Sequence, residues 1–131
     1  MSRSVIAMLM SSGLAGLAAG PTHAAPRDGP SWGAIASKQG WYGISFNHLS
    51  REAAEADARA QCDRVAGRAG PCVVRTAFDR ACGALATGNF GEWGAATAAT
   101  ANVAGTAAAG QCNSHLPTEP CRTVVSVCSP R

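Results

Sequence analysis

The chain is built from one pattern used twice. Gly33-Ala34-Ile35-Ala36 recurs as Gly83-Ala84-Leu85-Ala86, and Ala60-Gln61-Cys62 recurs as Gly110-Gln111-Cys112, both 50 residues further on. Trp41-Tyr42-Gly43 returns as Glu92-Trp93-Gly94 at a spacing of 51, and Ser50 returns as Thr100 at 50. A unit of about 50 residues buries too little apolar surface to stand alone, so the two copies are expected to share one core and form a single domain.

Within the first copy, residues 33–37 and 42–47 flank the turn signal Lys38-Gln39-Gly40. Tyr42, Ile44 and Phe46 alternate with Gly43 and Ser45, the period-two pattern of a half-buried strand, so the two segments are expected to pair as a hairpin. Ser50 is a favoured N-cap for a helix over residues 51–62, with Glu52 and Glu55 where the helix dipole favours negative charge. Ala54, Ala58 and Cys62 fall on one side of that helix, a thin stripe that lets it lie close to a sheet. After Gly70-Pro71, residues 72–78 are rich in β-branched side chains and predict a strand. The second copy repeats the order: strands over 81–86 and 92–97, a Thr100-capped helix to Cys112, and a strand over 122–128. Its helix contains Gly105 and Gly110, each costing about 1 kcal/mol relative to alanine, and is expected to be shorter or more mobile.

The expected fold is α+β: two tandem strand-strand-helix-strand repeats forming one mainly antiparallel sheet of six strands, with two helices packed on it. A helix linking the second strand to the third makes those two parallel, so both can lie antiparallel to the first. Strand order stays open.

Residues 1–24 have the form of a secretory signal: Arg3 at the start, apolar stretches over 5–10 and 14–19, and a small residue, Ala24, before the expected cut. Ser11, Ser12 and Gly20-Pro21 interrupt the run and argue against a membrane anchor. Residues 25–31 are expected to be a flexible leader and 32–131 the domain, periplasmic or extracellular. Without residues 1–24, ten basic and eight acidic residues remain, a net charge of +2. Arg59, Arg64, Arg68, Arg75 and Arg80 are interspersed with Asp57, Asp63 and Asp79, which argues against nucleic-acid binding.

All six cysteines lie in the exported part, and an even count in a short exported chain argues for disulfides. Cys62 and Cys112 end equivalent helices, while Cys72 and Cys121 open equivalent strands. Repeat symmetry therefore pairs Cys62 with Cys72 and Cys112 with Cys121, leaving Cys82 for Cys128. Zinc ligands come in closer pairs than these, so no metal or other cofactor is expected. Trp32 holds the place of Cys82 in the first copy, so aromatic packing is expected to stand in for the third bridge there.

This order of features resembles the bacterial exported family catalogued as domain of unknown function 4189. The resemblance rests on Trp32-Gly33-Ala34-Ile35-Ala36, on Ala53-Ala54 through Ala60-Gln61-Cys62, on Cys82-Gly83-Ala84-Leu85-Ala86, on Trp93-Gly94 and on the order of the six cysteines. It covers about residues 32–128 and implies fold and compartment, with no catalytic residue to carry over. The second copy departs from the family pattern in its uncharged helix, Asn102-Val103-Ala104-Gly105-Thr106.

No nucleophile, base and carboxylate combine into a catalytic signature. His48 and His115 read as surface loop residues and Asp79 as a turn residue, so a non-enzymatic role is expected, with a small hydrolase ranked third. The leading expectation is a binding module for an envelope or secreted protein, inhibitor-like or immunity-like, followed by a domain for peptidoglycan or another glycan. The candidate surface is Trp41, Phe90 and Trp93 at the hairpin turns, with Arg75, Arg80 and Arg122 as a cationic patch. For the two tryptophans, the expectation set first is that Trp41 and Trp93 fold back onto a core otherwise poor in large side chains.

Overall fold

The computed structural model describes Gly16 and residues 29–130. The rest of the expected signal and most of the expected leader lie outside the described residues. The first repeat runs β1 (Trp32–Lys38), β2 (Trp41–His48), α1 (Arg51–Ala66), a single 3-10 turn (Gly67–Ala69) and β3 (Val73–Asp79). The second runs β4 (Cys82–Thr87), β5 (Trp93–Ala98), α2 (Ala101–Asn113) and β6 (Arg122–Cys128). Both helices start on the expected caps: Ser50 Oγ accepts from the Ala53 N–H at 3.1 Å, and Thr100 Oγ1 from the Val103 N–H at 3.3 Å. The first helix continues past Cys62 to Ala66 and ends at Gly67, whose φ of 54° suits glycine and whose N–H bonds the Asp63 carbonyl.

The α+β repeat architecture stands, with one correction to the sheet. The six strands form two three-stranded antiparallel sheets, ordered β2-β1-β3 and β5-β4-β6. Side-chain alternation explains the division. Ala34 and Ala36 of β1 pack under Ala54, Ala58 and Cys62 of α1, while Ala84 and Ala86 of β4 pack under Ala104, Ala108 and Cys112 of α2. On the opposite faces, Ile35 and Leu85 meet each other and Phe78. The layers are therefore helix, sheet, sheet, helix, and the shared core lies between the sheets. A central strand buried on both faces cannot be extended sideways into one wide sheet while also receiving the other copy on its face.

Glycines set the layer spacing at two places. A Cβ on Gly43 would collide with the Ala58 carbonyl oxygen and the Cys62 nitrogen, and one on Gly94 with the matching atoms of Ala108 and Cys112. Between the sheets, Phe78 occupies the space that Cβ atoms on Gly33 and Gly83 would need.

Small departures from symmetry account for the drifting repeat spacing. The β4–β5 turn is one residue longer than the β1–β2 turn, since Thr87 pairs with Trp93 but Ser37 with Tyr42. A bulge in β2 between the Trp32–His48 and Ala34–Ser45 pairs then restores the count. The bulge holds Asn47 at φ 62° and turns it toward the other repeat. There Ser129 Oγ accepts from the Asn47 N–H at 3.0 Å and lies 2.8 Å from Ser31 Oγ, while the Ser31 hydroxyl donates to Asn47 Oδ1 at 3.3 Å. Ser31 also donates its N–H to Asp79 Oδ1 at 2.8 Å, which ties it to the end of β3.

The bridges join Cys62 to Cys72, Cys112 to Cys121 and Cys82 to Cys128, with no free cysteine among the described residues. Two side chains hold the shorter pairs in register. Asp63 Oδ1 accepts the Cys72 N–H, and Asn113 Oδ1 accepts the Cys121 N–H, each at 2.8 Å. At the place of Cys82 and Cys128, the first repeat pairs Trp32 with Asp79, and Trp32 packs against the α1 cluster.

The second helix is the shorter, 13 residues against 16, but it is as well seated as the first. Gly105 is one of its buried residues: a Cβ there would come within 3.3 Å of the Thr123 methyl, and the Gly105 carbonyl accepts from Thr123 Oγ1 at 2.8 Å. Gly110 has open space where a Cβ would stand. Gly110→Ala is therefore expected to stabilise the protein by about 0.5–1 kcal/mol, read as a higher denaturant midpoint, and Gly105→Ala to gain less or lose.

Candidate functional site

Both hairpin turns lie at one pole of the molecule. A cleft of about 550 Å³ between them is lined by Gln39 and Gly40 from one turn and residues 87–91 from the other. The β4–β5 turn also borders two smaller hollows, one with Trp93 and His115 and one with Glu119, Arg122 and Val124. Three hydrogen bonds brace this turn as a projection, two within it and one to the loop after α2. The Gly88 N–H donates to the Glu92 carbonyl, the Phe90 N–H to Glu92 Oε2, both at 2.8 Å, and Asn89 Nδ2 to Thr118 Oγ1 at 2.9 Å. Phe90 at its tip is 75% exposed.

The two tryptophans do not join the shared core. Trp41 is 48% exposed and Trp93 37%. Trp93 lies on the inter-sheet side of β5, two residues before Ala95, where the core has already narrowed to Leu85 and Ile35. Arg75 fills the gap. Its guanidinium carbon stands 4.3 Å from the Trp93 ring centroid, and its Nε donates to the buried Ser37 hydroxyl at 2.9 Å. Arg75 occurs at a bulge in β3, where the register slips between the pairs Ile35–Thr76 and Ala36–Val74. Partial burial lowers its pKa from the ordinary arginine value, yet the group stays charged at neutral pH.

Arg122 opens β6 opposite Thr87, at the same pole. Arg80 does not join this patch. It sits at φ 49° in the link between β3 and β4, at the far end, where its guanidinium pairs with Asp79 at 3.3 Å. The expected three-arginine patch is not one cluster: Arg80 lies at the other pole, and of the two arginines left at the hairpin pole Arg75 lies over β5 while Arg122 stands on β6, the opposite edge of that sheet.

Two of the three titratable residues considered for catalysis have partners elsewhere, and the third, His115, borders the hollow beside Trp93. Asp79 receives the Ser31 N–H, and His48 Nε2 lies 2.8 Å from Asp57 Oδ2. Among the described residues, no three His, Cys, Asp or Glu side chains converge on a point that could hold a metal ion. His48 was legible as a surface residue, but its partner was not, because the link runs from a strand to the middle of the next helix.

The His48 imidazole, and after it the Gln61 amide, hold the Asp57 carboxyl below the usual carboxylate range. A carboxyl with a depressed folded-state pKa stabilises the fold above its unfolded value near about 4 and loses that contribution as pH falls through the folded value. Asp57→Asn is accordingly expected to lower the denaturant midpoint slightly at pH 6, by under about 1 kcal/mol for so exposed a pair. The difference from the native chain should close as pH is lowered below about 4. A gap that persists unchanged in acid would assign the loss to packing instead.

Fold and bridges together define a disulfide-stabilised α+β two-repeat domain of a kind suited to an oxidising compartment. The chain belongs to the family described as domain of unknown function (DUF4189), whose model matches residues 32–128. Among solved structures it is similar to the NMR structure of Rv1813c from Mycobacterium tuberculosis, with 25% identity and a TM-score of 0.56 over 98% of this chain and 95% of that one. None of the curated proteins matches it.

Proposed function

We propose that the chain is an exported, non-enzymatic binding module that engages a cell-envelope or secreted protein through the hairpin pole, in an inhibitor-like or immunity-like role. The observation that carries this reading is Phe90: a large aromatic side chain, 75% exposed, on a turn braced by three hydrogen bonds and bordered by concave surface. A rigid aromatic projection loses little entropy on docking, which suits an anchor in a partner's pocket. The form of residues 1–24 and the three disulfides support export.

A glycan-stacking site is less well supported, because Arg75 already lies over the Trp93 ring that a sugar would need. The test uses the oxidised mature protein and its Phe90→Ala variant, which alters only exposed surface. A partner from envelope extract, identified by mass spectrometry and then purified, should bind the native chain and lose about tenfold or more in affinity for the variant. Equal binding by the two would remove Phe90 from the site. Sedimentation with purified cell wall, lost in the variant, would replace the protein partner with a glycan.

A further inference from the structure

Charge is distributed unevenly between the two poles. The ion pairs among the described residues are His48–Asp57, Arg51–Glu55 and Arg80–Asp79, and none involves Arg75, Arg122 or Lys38 of the hairpin pole. The acids nearest that pole are mostly committed to backbone. Asp63 holds the Cys72 N–H, and Glu92 holds the Phe90 N–H. Glu119 borders the same hollow as Arg122 without forming an ion pair with it.

Arg75 is the most constrained of these cations. Its Nε is fixed by Ser37 and its plane lies over Trp93, while its pKa falls through burial that no carboxylate offsets. A half-buried guanidinium without a counter-charge is unfavourable, and a carboxylate delivered from outside relieves that cost with a charge-assisted hydrogen bond. The terminal nitrogens take no part in the bond to Ser37. The guanidinium lies over the ring of Trp93, and Phe90, on the same hairpin, lines one hollow together with Trp93.

We infer that the hairpin pole recognises an acidic protein segment, one that brings carboxylates to Arg75 and Arg122 and an apolar side chain to Phe90. This rests on the reading that the pole binds a protein, and it adds the chemistry of that protein. Charge complementarity chooses the occupant: the pole combines unpaired cations with exposed aromatics, so a segment mixing acids with an apolar residue matches it, whereas a purely anionic ligand leaves Phe90 unused.

The test follows the ¹H–¹⁵N signals of the Arg75 Nε–H, the Trp93 indole N–H and the Phe90 amide in the full mature protein. The probes are acetyl-Glu-Glu-Leu-Glu-Glu-amide, its all-glutamine analogue and inorganic phosphate. The acidic peptide should shift all three signals saturably and weaken steeply with added salt, and the glutamine analogue should bind about tenfold or more weakly. Arg122→Gln, at an exposed edge position, and Arg75→Gln should each raise the peptide's Kd about threefold or more. Equal binding of the glutamine analogue, or shifts centred on Arg80 and Arg51, overturns the inference. Phosphate matching the peptide at equal concentration also overturns it, since a simple anion would then suffice. A captured protein partner whose affinity ignores both salt and these two arginine substitutions would leave the binding-module reading standing while this one fails.

Discussion

Replacing Phe78 by alanine should lower the unfolding free energy by about 3–5 kcal/mol, the range for removing a buried aromatic from a packed core. Phe78 is 3% exposed and fills the space between the sheets against Ile35 and Leu85. The shared core has few other large side chains. Most remaining buried apolar residues are alanine and cysteine, which pack under the helices and cannot move to close the void. A denaturant titration with the disulfides intact measures the effect. Phe78→Leu should recover part of the loss, and a loss below about 1 kcal/mol for alanine would show that the sheets close over the gap.

Adding one methyl group at Gly43 should be nearly as damaging, at about 3 kcal/mol and at the upper end for overpacking. The obstructing atoms are the Ala58 carbonyl oxygen and the Cys62 nitrogen, both helix backbone. No rotamer change can clear them, so the whole of α1 must lift from β2 while Cys62 stays tied to Cys72. Gly94→Ala faces the same atoms of α2 and should behave alike. Gly40→Ala is the control, since open space surrounds its would-be Cβ. If Gly43→Ala unfolds at the same denaturant concentration as Gly40→Ala, the close helix–sheet approach is not rigid.

Much of the local structure was legible in the sequence. Ser50 and Thr100 mark the helix starts, alternation around Ile44 marks β2, and the repeat marks equivalent cysteines. The division into two facing sheets was not. The reason lies in β1 and β4, where residues 33–36 and 83–86 are small or apolar on both faces, so no polar side distinguishes a half-buried strand from a fully buried one. Gly105 misled in a different way: read as a weak helix residue, it is the point where α2 meets β6. At the candidate site, Phe90 and Trp93 were found from their place beside turns. The Arg75–Trp93 contact crosses between the repeats, and no pattern within either one encodes it. Charge alone suggests Arg80 as a neighbour of Arg75, although the length of β3 beyond Arg75 carries Arg80 to the link at the other end of the molecule.

The unequal filling between the sheets bears on the stoichiometry of the repeats. Gly33 and Gly83 are equivalent positions, yet both abut the single ring of Phe78, and its counterpart in the second repeat is Val127, paired with Gly83 as Phe78 is with Gly33. Two first repeats brought together would place two rings where one fits. Two second repeats would set valine against valine and leave a void. Each half is thus matched to the other half and mismatched to itself, so the two repeats behave as the unlike partners of a covalent heterodimer and are not interchangeable.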